Sequence, residues 1–358
     1  MNALNLLMLF LLLSVAGCGP DMPKKQTDVE RLRLNGAVKS YLETIQRNSN
    51  YIRDTTEPVL KEVHREYLLF NTHGNITEKK SFKWNGEPHR IWMSIYDNDQ
   101  NEIELIEIKP PHDTLKRWIR TYNAYEVESI EMKYPNDTLK RRIERYDANG
   151  NEVESLTYDH KDSLLSHTRV TFDGSNNKTA YIYIKSEKEK DPLLKVTYEY
   201  DNNGNRIKTT RHYADKSKAE WFTEYDSVGN EIEWRVYDRK GKLKRRDTYV
   251  YDENSNLLEE RLFTSDNVLE TMGVSEYDKE GREIKFTEYL YDSIRSSEIK
   301  EYDELGNVTI TYLNRKGEPR SRTQIISEFD ENENLIKELE YKNGKLIAIK
   351  EYKIEYYQ

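Results

Sequence analysis

An aromatic residue followed by Asp or Asn returns eleven times along the chain: Phe70-Asn71, Tyr96-Asp97, Tyr122-Asn123, Tyr146-Asp147, Phe172-Asp173, Tyr200-Asp201, Tyr225-Asp226, Tyr251-Asp252, Tyr277-Asp278, Tyr302-Asp303 and Phe329-Asp330. Successive spacings are 26, 26, 24, 26, 28, 25, 26, 26, 25 and 27 residues. A period this narrow is the mark of a repeat protein, in which each unit leans on its neighbours. The clearest units read Tyr-Asp-x-x-Gly-Asn, at 146–151, 200–205, 225–230 and 302–307.

That hexamer has the chemistry of a chain reversal. Asp147, Asp201, Asp226 and Asp303 can accept hydrogen bonds from backbone N–H groups two or three residues on. Gly150, Gly204, Gly229 and Gly306 can take positive φ without a Cβ penalty. Together they predict a type I turn followed by a glycine bulge, a common hairpin connection. The flanks alternate with period two: Ile232, Trp234 and Val236 point one way, Glu231, Glu233 and Arg235 the other. Tyr249 and Tyr251 likewise share a face. A second aromatic (Tyr158, Tyr213, Tyr237, Phe263, Tyr289, Tyr312 or Tyr341) falls near mid-unit and often precedes another turn, as at 238–241. Each unit is therefore two strands.

Helix signals are nearly absent. Residues 38–46 read as an opening strand, because Tyr41, Thr44 and Ile45 are poor helix formers. The expected fold is all-β: tandem antiparallel hairpin repeats of about 26 residues. About 22 strands spaced by ~4.8 Å would make a sheet on the order of 100 Å wide. Open sheets rarely exceed ~10 strands without curling, so the expectation is a long coiled or twisted array. Residues 35–60 and 354–358 break the pattern and are expected to cap its two ends.

Composition narrows the reading. Charged residues make up 34% and hydrophobic ones 36%, a balance that by itself suggests disorder. The 27 tyrosines oppose it, since a tyrosine buries ring area while its hydroxyl stays wet. A thin, partly polar core follows. The net charge of -9, with no Lys/Arg block, disfavours nucleic acid, which needs a concentrated basic footprint. The seven histidines (His64, His73, His89, His112, His160, His167 and His212) are scattered, without close metal-ligand spacing.

The chain begins with an almost unbroken apolar run over residues 4–15, too short for a comfortable membrane span and suited to a signal-peptide core. It ends in Val15-Ala16-Gly17-Cys18, similar to a bacterial lipobox; no Lys or Arg precedes the run. The resemblance implies cleavage before Cys18 and acylation of its thiol. It divides the chain into a signal peptide (1–17), a lipid-anchored polar tether (18–34) and a repeat domain (35–358). Buried acyl carbons contribute roughly 0.8 kcal/mol each, so several chains anchor stably. Cys18 is the single cysteine, which leaves no thiol for a disulfide. The expected location is the bacterial cell envelope, at the outer membrane.

The repeated motif resembles the YD repeat of the Rhs family, over roughly residues 60–357. Within that group the chain looks like the short, lipobox-bearing YD-repeat proteins of Gram-negative bacteria. In the large relatives such repeats build a spiralling β-shell that can enclose a toxin. Here no Rhs-type core motif occurs near the C-terminus and nothing follows Gln358, so an enclosed C-terminal effector is not expected. The resemblance permits carbohydrate binding.

No catalytic signature appears: no G-x-S-x-G, H-E-x-x-H, Walker loop or G-x-G-x-x-G. The expectation is no enzyme and no cofactor. Asp147-x-Asn149-x-Asn151 and Asp201-x-Asn203-x-Asn205 invite calcium, but Tyr158 and His212 stand where an EF-hand places its bidentate Glu, and the turn already accounts for these residues. No metal site is expected. Trp221, Trp234, Tyr213 and Tyr237 are the candidate ligand-contact aromatics. Rings on a sheet surface can stack on sugars, although cross-strand aromatics also stabilise thin sheets. The functional expectation is an envelope binding module for glycan or protein; the alternative is a structural scaffold without a small-molecule ligand.

Overall fold

A computed structural model describes residues 26–48, 60–111, 113–133, 137–185 and 192–358. The signal peptide, Cys18 and most of the tether lie outside them. Twenty-four strands follow a short helix, α1 (Asp28–Arg31). They are β1 (Val38–Asn48), β2 (Leu60–Phe70), β3 (Ile76–Phe82), β4 (Pro88–Tyr96), β5 (Glu102–Lys109), β6 (Asp113–Asn123), β7 (Glu126–Lys133) and β8 (Asp137–Tyr146). Next come β9 (Glu152–Asp159), β10 (Leu164–Phe172), β11 (Lys178–Ile184), β12 (Leu194–Tyr200), β13 (Arg206–His212), β14 (Lys218–Tyr225), β15 (Glu231–Tyr237) and β16 (Leu243–Tyr251). The last are β17 (Leu257–Phe263), β18 (Leu269–Tyr277), β19 (Glu283–Leu290), β20 (Ser293–Tyr302), β21 (Val308–Leu313), β22 (Pro319–Phe329), β23 (Leu335–Lys342) and β24 (Lys345–Tyr356).

Every strand pairs antiparallel with its sequence neighbours, and β1 also pairs with β24, from Val38↔Tyr356 to Arg47↔Ala348. The sheet is therefore a closed barrel. This corrects the expected coiled or twisted open array. Residues expected to cap the ends (within 35–60 and 354–358) instead lie in the closing seam, where Val38–Asn48 and Lys345–Tyr356 bond to each other along almost their whole length. Closure removes both unpaired edges, which a long open sheet would leave available for aggregation. Twenty-four strands ~4.8 Å apart and tilted by about 40° give a circumference of about 150 Å, so a round section would be roughly 48 Å across.

The wall is thin. Among the described residues, the buried hydrophobics are Val29, Val38, Leu68, Phe70, Val127, Tyr146, Ala219 and Ala348. Four of them form one cluster, Val29, Val38, Leu68 and Phe70, at the seam, with Tyr41, Ile354 and Tyr356 packed against it. Part of the expected tether belongs to this core: α1 lies within residues 18–34, with Val29 buried. Its N-terminus carries a capping box, Thr27 accepting from the Glu30 N–H while Glu30 accepts from Thr27. Val29 N–H donates to the Gly74 carbonyl, and Asp28 Oδ2 accepts from Ile76 N–H at 2.6 Å.

The reversals fall on two rims. The aromatic–acid turns join even-numbered to odd-numbered strands on one rim; the mid-unit turns form the other. In the turn after Tyr225, Asp226 N–H donates to the Asn230 carbonyl and Gly229 N–H to the Asp226 carbonyl. Asp226 Oδ1 accepts from Val228 and Asn230 N–H, and Oδ2 from Asn230 Nδ2. Gly229 has φ +96° with open space around it, so backbone conformation alone calls for glycine.

Candidate functional site

The tyrosine of the motif ties neighbouring repeats together. Tyr96 Oη donates to the Ile76 carbonyl (2.9 Å), Tyr122 to Glu102 (2.9 Å), Tyr200 to Lys178 (2.9 Å) and Tyr277 to Leu257 (3.0 Å). Each acceptor is the first residue of the preceding strand, so each ring lies along the rim toward the turn before it. The turn Asn reaches the other way: Asn230 Nδ2 donates to Ser255 Oγ at 3.1 Å in the next repeat. Burial raises the Tyr96 and Tyr122 hydroxyls to about 12, with nearby Glu102 adding to the rise at Tyr96. The recurring residues are thus occupied in building the barrel. The calcium-like string is occupied too: Asp147 Oδ1 accepts from the Asn149 and Asn151 N–H groups, and Oδ2 from Asn151 Nδ2. No group of three or more metal-ligating side chains comes together among the described residues.

Register partners share a face, and successive residues alternate, so the pairings assign each strand residue to one side of the wall. The four candidate aromatics do not form one site. Trp221 pairs with Val236 and Trp234 with Thr223, which puts both tryptophans on the side carrying Tyr225. Tyr237 pairs with Glu220 on the opposite side and packs edge-on against Phe222 at 5.6 Å. Tyr213 opens the turn between β13 and β14 on the mid-unit rim, with the Arg239 guanidinium 3.5 Å from its ring centre. One-residue alternation separates Tyr237 from Trp234, and chain reversal removes Tyr213.

Following the registers around the barrel adds two residues that local pattern did not single out. Trp92, opposite Glu107, and Trp118, opposite Glu131, lie on the same side as Trp221 and Trp234. Trp92, Trp118 and Trp221 each stand four residues before the motif tyrosine, at Tyr96, Tyr122 and Tyr225. That offset was a readable signal. All four rings are partly exposed, whereas the fifth, Trp84, sits in a mid-unit turn and is 89% exposed.

Charged side chains stand beside three of these rings. Arg90 Nη1 bonds Glu107 at 2.6 Å, next to Trp92. Lys116 Nζ bonds Glu131 at 2.6 Å and lies 5.7 Å from the Trp118 ring centre. Arg245 grips Asp247 through two bonds of 2.8 and 2.7 Å while its guanidinium sits 5.6 Å from the Trp234 ring centre. Asp247, 1% exposed, is the one fully buried charged residue in the described wall. Nearby, Glu231 is held above the usual carboxylate range, first by burial and then by the Asp247 charge, and burial likewise pushes the Tyr249 hydroxyl up.

Both faces of the wall are charged. Arg120 with Glu102 and Lys350 with Glu338 are ion pairs on the tryptophan side; Arg117 with Glu104 and Lys208 with Glu220 are on the other.

No family model matches the chain, and no curated protein matches it. Similar solved structures include TcdB2-TccC3 without its hypervariable C-terminal region, at 10% identity and a TM-score of 0.25, over 84% of this chain and 21% of that one. This chain thus spans about a fifth of that one. A porin-like protein from Bacteroides uniformis is similar at 10% identity and a TM-score of 0.25, over 90% of this chain and 99% of that one. Likenesses of this depth assign neither a family nor a function.

Proposed function

We propose that the chain is a binding module of the bacterial cell envelope: a closed β-barrel held at the outer membrane by acylated Cys18, which captures a glycan or protein on its tryptophan-bearing side. The observation that carries this reading is that Trp92 and Trp118 on β4 and β6, and Trp221 and Trp234 on β14 and β15, all lie on one side of the wall. Burial of the barrel does not need this, since each ring remains partly exposed. Large amphipathic rings with accessible area are the residues that dominate recognition surfaces.

The test uses the full-length acylated protein. Cys18→Ser is expected to move it from the membrane fraction to the soluble one. Captured envelope material is expected to fall at least tenfold in a variant with all four strand tryptophans changed to Phe, with the barrel checked by circular dichroism. Unchanged capture would sink the binding reading. A second reading, a scaffold of the envelope, is favoured by the closure itself, which leaves no edge free for partners. It expects altered envelope integrity on deletion and no effect of the tryptophan changes.

A further inference from the structure

We infer that the outer wall over β4–β9 is a self-association face, on which a second copy of this chain docks by a two-fold contact; the inference stands apart from what the tryptophans hold. The side opposite the tryptophans is the outer one. Asp226 bonds toward β15, so Tyr225, its neighbour on the tryptophan side, bonds toward β13. With L-residues, an observer on that side who sees β14 run upward therefore finds β15 to the left. Register partners run Leu68↔Lys79↔Trp92↔Glu107↔Lys116, sliding from two to six residues before the motif aromatic as the chain advances. The fixed hand of sheet twist gives a closed barrel that slide only when the observer stands inside. The tryptophans line the lumen.

Outside, the two flanks of the wall differ. On β4–β9 the outward positions form apolar cross-strand pairs: Met93 with Ile106, Ile119 with Ile130, and Ile143 with Leu156. Met93 is 41% exposed, and Ile95, two positions on, is 47% exposed. On β12–β17 the paired outward positions hold Thr, charged and ring-bearing residues, and the aliphatic ones are Leu243 and Val250. Both flanks close with the same turns and the same pairing, so folding does not require the difference. Apolar surface set among polar groups marks a contact site, and Met and Arg are enriched in such contacts. Trp84, 89% exposed, sits in the turn that leads into β4, at the margin of this face.

Charge and area select the second copy. The arginines of this face are bonded within it: Arg117 to Glu104, Arg141 to Glu128 at 3.4 Å, and Arg145 to Glu126 at 3.0 Å. The chain carries a net charge of -9, so most surfaces of two copies repel each other. A two-fold contact sets one patch against itself, which suits a patch whose charges are already matched. A strongly charged partner would have to break these pairs first. A lipid surface would have to take up the same ion pairs with the apolar residues, at a desolvation cost. The curvature of so wide a barrel lets about four strands meet a copy, and four strands by five residues give a flat footprint of roughly 330 Å². Side-chain relief about doubles that, so two copies bury about 1,300 Å², above the roughly 1,000 Å² that a specific contact needs.

The experiment follows the full-length chain by sedimentation velocity over a concentration series, with circular dichroism to check each variant. A monomer–dimer equilibrium is expected. Its dissociation constant is expected to rise at least tenfold when Met93→Lys and Ile95→Lys are combined, and to stay unchanged in Val250→Lys, an equally exposed position on the other flank. Ile119→Cys reads the contact without adding charge: a short bis-maleimide is expected to join two copies through it and to leave Val250→Cys uncoupled. A monomer at every concentration up to the solubility limit overturns the inference. So does a dimer indifferent to the paired lysines, or one coupled through Val250→Cys. A third arm adds phosphatidylethanolamine–phosphatidylglycerol vesicles to the Cys18→Ser protein. Vesicle binding by a monomer, lost with the paired lysines, overturns the inference in favour of a lipid surface.

Discussion

The seam and the body of the barrel use the same repeat in different ways. At the seam, Phe70 is 1% exposed, and the equivalent turn asparagine, Asn334, is 2% exposed. Asn334 accepts from Asn35 N–H at 2.7 Å and donates to the Asn35 carbonyl at 2.9 Å, across 299 residues. Tyr357 N–H donates to the Ala37 carbonyl, and Tyr356 Oη donates to Asp330. In the body, the matching Tyr225 and Asn230 are only partly buried and touch residues 19 to 25 positions away. Local contacts suffice to extend a wall of hairpins. Joining its first and last strands costs chain entropy that no neighbouring repeat offsets, and the buried cluster stands where that cost falls.

The largest expected effect breaks this contrast at its centre. Phe70→Ala should cost about 4 kcal/mol, because a fully enclosed ring leaves a cavity as well as lost transfer energy. Tyr225→Ala, at the same position in a body repeat, should cost about half as much. Thermal melts of both variants would check the ratio. Equal losses would mean that the seam is no more than another strand pairing.

A smaller effect isolates the polar half of the seam. Asn334→Ala removes the reciprocal pair and leaves the Asn35 amide and carbonyl without their partner, a loss of about 2 kcal/mol. Asn230→Ala deletes a solvent-accessible link and should cost under about 1 kcal/mol. Hydrogen exchange sharpens the comparison: in Asn334→Ala, amides of β1 and β24 should exchange faster while those of β14 and β15 hold their protection.

The body was legible in the sequence and the seam was not. Eleven aromatic–acid pairs at a near-constant interval give the hairpins, and Asp226 with Gly229 gives the shape of each turn, because the information is carried within six residues. Closure depends on pairing between Val38–Asn48 and Lys345–Tyr356, and neither segment carries the aromatic–acid motif. Position in a register, rather than proximity in sequence, likewise decides the candidate site. Tyr237 follows Val236 but faces away from it, whereas Trp92 and Trp234 share a side across 142 positions. Alternation within a strand predicts the first fact. The second requires bulges such as the one between Tyr225 and its neighbour Glu224 to be placed correctly in every intervening strand, and one misplaced bulge inverts the face.

The smallest effect concerns acid. In body turns, the Asn256 side chain and backbone N–H groups hold the Asp252 carboxyl below its ordinary value of 3.8, and Asn307 with neighbouring N–H groups does the same for Asp303. A carboxyl whose value is depressed by folding stabilises the fold above its unfolded value, and that contribution is lost as pH falls through the folded one. The melting temperature should therefore fall below about pH 4 and keep falling as further turns protonate. Two turns already show how to remove this linkage without losing the reversal. Asn71 Oδ1 accepts from the His73 and Asn75 amides, and Asn314 Oδ1 from those of Lys316 and Glu318, with no titratable group at the position. Asp252→Asn and Asp303→Asn together should leave the melting temperature near pH 7 almost unchanged and flatten its decline in acid. A decline as steep as in the unaltered protein would shift the origin of acid sensitivity from the turns to the ion pairs of the wall.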